Sequence, residues 1–84
     1  GMAGLVVLLG DAQAPLERAI ALAPHFAPPY LLLARLFDAA SMRDDAARHY
    51  RGFVERARAA DPLLPFARER LTATSATTAG GGAP

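Results

Sequence analysis

The stretch "APPYLLLARLFDAASMRDDAARHYRGF", residues 27–53, decides how the chain reads. A proline pair stands directly before a run of leucines. The first N–H groups of a helix have no intrahelical partner, so proline costs no hydrogen bond there. Pro28 and Pro29 therefore predict a helix start rather than a break. Tyr30, Leu33, Ala34 and Phe37 then recur at helical spacing as one stripe, and Leu32, Leu36 and Ala40 widen it. Leu31, Arg35 and Asp38 share another side. A helix apolar over so wide an arc packs on two neighbours. Ser41 with Asp44 three residues later has the spacing of a capping box, which predicts a second helix start. Ala46, Tyr50, Phe53, Val54 and Ala57 keep the helical period. Asp44 with Arg48, and Arg51 with Glu55, are opposite charges four apart, each pair worth about 0.2–0.5 kcal/mol. Gly52 costs a helix interior about 1 kcal/mol against alanine, which makes sense where another element passes close.

Working outward, "DAQAPLERAIALAP" at 11–24 predicts a preceding helix. Asp11 can cap it, Pro15 fits its first turn, and Pro24 ends it. Leu16, Ala19, Ile20 and Ala23 mark one helical face. The run before it, "GMAGLVVLLGD", is too short for periodicity to choose between helix and strand, and its context favours helix. Gly1 before Met2 reads as a scar of tag removal. After the stop at Asp61-Pro62, "PLLPFARERLTA" predicts a further helix with Leu64, Ala67 and Leu71 on one face and Phe66 beside it. From Thr72 the chain turns small, polar and Gly-rich. The expected organisation is one helical domain over 2–73 and a disordered tail over 74–84.

Composition narrows the function classes. The chain has 84 residues, and a domain of this size buries only about 60% of its unfolded surface. Much of its 52% hydrophobic content is alanine, so a core must come from Leu, Phe, Tyr and Val at a few positions. The net charge of +1 gives no electrostatic case for nucleic acid. Every basic side chain is arginine, which reads as compositional bias of the source genome or as selection of guanidinium for anion contacts. With no cysteine, thiolate metal sites, disulfides and a cysteine nucleophile are excluded. The longest apolar run, Leu5 to Leu9, is far short of the roughly 20 residues that span a bilayer, and no basic leader precedes it. The expectation is a cytoplasmic protein without a membrane partner.

Helix, short turn, helix, with small residues between aromatics, resembles the tetratricopeptide repeat, a helical hairpin of about 34 residues. Residues 27–62 resemble one unit. Tyr30 stands at the opening aromatic position, Leu33-Ala34 where the family has Leu-Gly, and Phe37 at the next aromatic. Ala46 is the small residue early in the second helix and Tyr50 its aromatic. Phe53 departs from the family's usual alanine, and "ARAADP" adds about one helical turn before the closing proline. Residues 11–24, with "LERAIALAP", resemble the second helix of a preceding unit. The resemblance covers 11–62, with 63–73 as a capping helix. It implies an all-α fold of antiparallel hairpins in a right-handed superhelix fragment. It also implies a non-catalytic protein–protein interaction module whose partner is a protein or peptide. In such repeats the first helix of each hairpin lines the groove. Here the matching positions are Leu31, Arg35 and Asp38, with Pro28 at the rim. The family's carboxylate clamp of Lys and Asn is not carried, because Leu31 and Arg35 stand in those places, although Arg35 can still hold an acidic group. The bland alternative is that Arg35 and Asp38 solvate an outer face. The implied core is Leu16, Ala19, Ile20, Tyr30, Leu33, Ala34, Phe37, Ala46, Tyr50 and Phe53.

The polar residues give no catalytic constellation. His25 falls in a turn and His49 on a charged helix face. Asp44 and Asp45 diverge by about 100° on a helix and cannot share a proton or metal. No Ser/His/Asp order, metal spacing or phosphate loop stands out, so neither an enzyme nor a cofactor is expected. A helix-turn-helix reader would have to be the helix with Arg43, Arg48, Arg51, Arg56 and Arg58. Its interleaved acids Asp44, Asp45 and Glu55 argue against nucleic acid, since phosphate contact dominates such affinity. An incomplete repeat array exposes an apolar edge, to which "LVVLL" adds. Self-association, or contact with the rest of a longer parent such as an enzyme, would cover it.

Overall fold

The computed structural model describes the backbone of residues 2–82 and the side chains of residues 11–75. It is all-helical: α1 spans Met2–Leu22, α2 Pro28–Ala39, α3 Arg43–Arg56 and α4 Leu64–Gly82, with no strand among the described residues. Helix α2 begins as the proline pair predicts, with Pro28 and Pro29 in its first two positions. Its stripe is the heart of the core: Leu33 and Ala34 are 0% exposed and Phe37 3%. Ala46, Tyr50 and Phe53 of α3 close on that stripe, and Leu64 and Ala67 of α4 complete it. Leu16, Ile20 and Tyr30 pack on this core while half-buried. Ala19 is half-buried as well.

Side-chain pairings fix the directions. Tyr30 at the start of α2 meets Gly52 near the end of α3, and Phe37 near the end of α2 meets His49. Helices α2 and α3 are therefore antiparallel. Arg35 meets Phe66 and Asp38 meets Arg70, so α4 runs in the direction of α2.

Several local expectations are corrected. Ser41 does not cap α3. It lies at φ 61°, and its N–H donates to Asp38 O at 3.0 Å while that of Met42 donates to Phe37 O at 2.8 Å. These two bonds form a Schellman closure of α2, with serine in the left-handed position usually held by glycine. Met42 is the N-cap of α3 and makes no side-chain cap bond. The carboxylates Asp44 and Asp45 instead occupy the first turn, where the helix dipole favours negative charge. Arg48 pairs with Asp45, at 2.6 Å. Helix α3 ends at Arg56, because Ala57 turns extended at φ −69°, ψ 150°. The extra residues before Pro62 thus form a turn and not another helical turn.

Helix α1 runs through Gly10-Asp11 with Pro15 inside it, where two segments were expected. Proline removes the N–H that would reach Asp11 O, at about 3 kcal/mol in a helix interior. Asp11 and Pro15 are both exposed, so water can satisfy that carbonyl. Helix α4 likewise passes the boundary expected at residue 73. Thr74 is 1% exposed and continues the face of Leu64, Ala67 and Leu71, and its Oγ1 donates back to Arg70 O at 2.8 Å. That internal bond lets a threonine enter the buried face. The apolar run Leu5 to Leu9, expected to widen an exposed edge, lies outside the residues whose side chains are described, and Gly1, Ala83 and Pro84 lie outside the described residues altogether.

Candidate functional site

The four positions matched to a groove do not form one surface. Leu31 is 5% exposed and belongs to the core beside Leu64 and Ala67. Asp38 is half-buried and fully engaged: Arg70 donates to both its oxygens, at 2.8 and 2.9 Å, and the Tyr50 hydroxyl donates to it at 2.8 Å. Pro28 and Arg35 are exposed. The cause is α4. It packs against the side of the hairpin that carries Leu31 and Asp38, and its Arg70 reaches over to close the gap. Helix α1 covers the opposite flank only partly. The exposed strip of α2 is thus Pro28, Leu32, Arg35 and Ala39, one residue out of step with the expected one. Leu32, assigned to the wider core stripe, is 50% exposed.

Between α1 and α2 this leaves an apolar hollow of about 590 Å³, lined by Ala12, Pro15, Leu16, Leu32, Arg35 and Leu36. Arg35 is the charged side chain in that lining. Its guanidinium lies 5.9 Å from the centroid of the Phe66 ring, itself 41% exposed. Phe66 in turn stands edge-on to Tyr50 at 6.2 Å. An aliphatic floor thus meets a cation near an aromatic ring.

The Asp38–Tyr50–Arg70 cluster is polar and central, but it is locked. Hydrogen bonding from Arg70 holds the Asp38 carboxyl below the usual carboxylate range against the opposing effect of burial, and Tyr50 adds to the lowering. Burial first, then Asp38, pushes the Tyr50 hydroxyl up to about 12. The carboxylate raises Arg70 further above its already high value. A carboxylate paired this fully is a poor base, and the phenol stays protonated. The arrangement joins three helices. Arg70 was not singled out in the sequence. The available signal was the buried phenol of Tyr50, whose hydroxyl needs a partner, together with Asp38 on the same hairpin.

A second cluster clasps the α1–α2 turn to α3. Pro24 O accepts from the Tyr30 hydroxyl at 2.8 Å and from Arg56 Nε at 2.7 Å, and the Arg56 guanidinium lies 4.3 Å from the centroid of the Tyr30 ring. The glycine at 52 is the condition for this: a Cβ there would lie 2.6 Å from Tyr30 Cδ1. The two histidines lie apart. His25 borders a hollow of about 330 Å³ with Phe26, Arg56, Arg58 and Asp61. His49 bonds Asp45 O at 2.8 Å and faces Phe37.

Among the described residues no group of three or more His, Cys, Asp or Glu could hold a metal ion. Nor, among them, is any helix long and apolar enough to cross a membrane. No family model, no curated protein and no solved structure matches the chain.

Proposed function

We propose that this chain is a non-catalytic protein-interaction module of the helical-hairpin, tetratricopeptide-like kind, and that it receives its partner in the α1–α2 hollow. The observation that carries the reading is the hollow itself, with aliphatic walls and Leu32 half exposed on its rim. Leucine in that state leaves apolar area in water that a partner would remove, at about 25 cal/mol per Å². The antiparallel α2–α3 hairpin, followed by α4 in the direction of α2, supports the repeat-like reading. So do the small residues Ala34 and Ala46, both 0% exposed, in the tight interior of the hairpin. The locked Asp38–Tyr50–Arg70 cluster supports a structural role for the polar centre, since its members are committed to one another.

Selection of a random-peptide library on the purified chain tests the reading. Enriched peptides are expected to lose binding to Leu32→Glu, whose helical circular dichroism should match the parent because residue 32 is exposed. Failure to enrich any sequence, or equal binding to parent and variant, would overturn it.

A further inference from the structure

We infer that the partner segment pairs a bulky apolar side chain with a carboxylate about one helical turn away, the apolar group filling the α1–α2 hollow and the carboxylate meeting Arg35. The inference rests on the hollow being the contact surface and goes on to name what fills it.

Charge complementarity carries it. Five of the six lining residues are aliphatic, and the sixth is Arg35. Among the described residues Arg35 has neither a hydrogen bond nor an ion pair, and its guanidinium approaches the Phe66 ring. Three other arginines are committed to partners within the fold, and those without such partners do not line this hollow. Arg70 is held by Asp38, Arg48 by Asp45, and Arg56 by the carbonyls of Pro24 and Gly52. The Phe66 ring, 5.9 Å from the Arg35 guanidinium, accepts no N–H in its plane and leaves those donors for an acceptor. A planar N–H fork suits a carboxylate, which can accept two parallel bonds. A neutral apolar partner would strip water from the guanidinium without replacing its hydrogen bonds, which is costly. A basic partner would add repulsion at the one charged point of the lining. An acidic residue beside the apolar anchor answers both.

The test is parallel selection of one random-peptide library on the parent chain, on Arg35→Glu and on Leu32→Glu, with thermal melts to establish that each variant folds. The parent is expected to enrich sequences with Leu, Ile, Phe or Trp and an Asp or Glu three or four positions away. Arg35→Glu should replace the acid by Lys or Arg while keeping the apolar residue. A peptide selected on the parent should bind Arg35→Gln about tenfold more weakly, the loss expected for a charge-assisted hydrogen bond. Parent sequences that depend on Leu32 but carry no acid, or that Arg35→Glu enriches unchanged, would sink this inference and leave the hollow as the contact surface. Sequences indifferent to Leu32→Glu, or none at all, would sink both.

Discussion

Two residues carry opposite backbone lessons. Ser41 holds the left-handed conformation that ends α2, where a side chain costs about 1 kcal/mol or more. Ser41→Gly is therefore expected to stabilise the chain by about 0.5–1 kcal/mol after allowing for glycine's greater unfolded-state freedom, a gain of a few degrees in Tm. A melt that falls would contradict the Schellman closure. Gly52 behaves the other way. Alanine there gains about 1 kcal/mol of helix propensity, but its Cβ would press on Tyr30, and overpacking costs about 1–3 kcal/mol. Tyr30 cannot swing aside freely, because Pro24 O holds its hydroxyl and Arg56 lies on its ring. Gly52→Ala should lower stability by about 1 kcal/mol in the parent, and raise it by a similar amount in a Tyr30→Ala background. Denaturant midpoints of the four proteins would show the reversal, and additive effects would refute the close approach. The presence of a neighbour at Gly52 was legible in the sequence, since glycine is costly inside a helix. That the neighbour is Tyr30 was not, because nothing local says which way that ring leans.

At the scale of elements, the joint between α2, α3 and α4 is a titrating one. The carboxyl of Asp38 is lowered by Arg70, so its stabilisation is complete above the ordinary carboxylate value of 3.8 and is lost as pH falls below it. The hydroxyl of Tyr50 is raised from 10.0 to about 12, so its contribution is complete below pH 10 and is lost as pH climbs from there towards 12. Thermal melts across pH 9–12 should show an alkaline decline that Tyr50→Phe reduces; an identical slope in the variant would contradict the coupling. Helix α1 offers the contrast. None of its described side chains is fully buried, and Pro15 interrupts its hydrogen-bond ladder. Amides of residues 16–22 are expected to exchange hydrogen faster than those of residues 46–54, with protection rising from α1 to α3. Mass-spectrometric exchange with peptide resolution would check the order, and stronger protection in α1 would overturn it.

For the molecule as a whole, the exposed strip of α2 depends on which flank each neighbour covers. Helix α4 takes the Leu31–Asp38 flank and helix α1 leaves the Leu32–Leu36 flank half open. The sequence by itself determined that the chain is helical, that the α2–α3 hairpin begins at the proline pair, and that Leu33, Ala34, Phe37, Ala46, Tyr50 and Phe53 form its centre. These follow from helical periodicity and from proline's missing N–H, which act within a few residues. The boundaries at Gly10-Asp11 and at residue 73 were not legible. A single proline or threonine is tolerated when water or the helix's own carbonyls satisfy what it disrupts. Nor was the one-residue shift of the open strip. Leu31 and Leu32 are equally apolar and only about 100° apart on the helix, so periodicity cannot rank them. Only the tertiary structure decided between them, because burial there depends on where α4 lands, and Arg70 reaching Asp38 across 32 residues of chain fixes that landing.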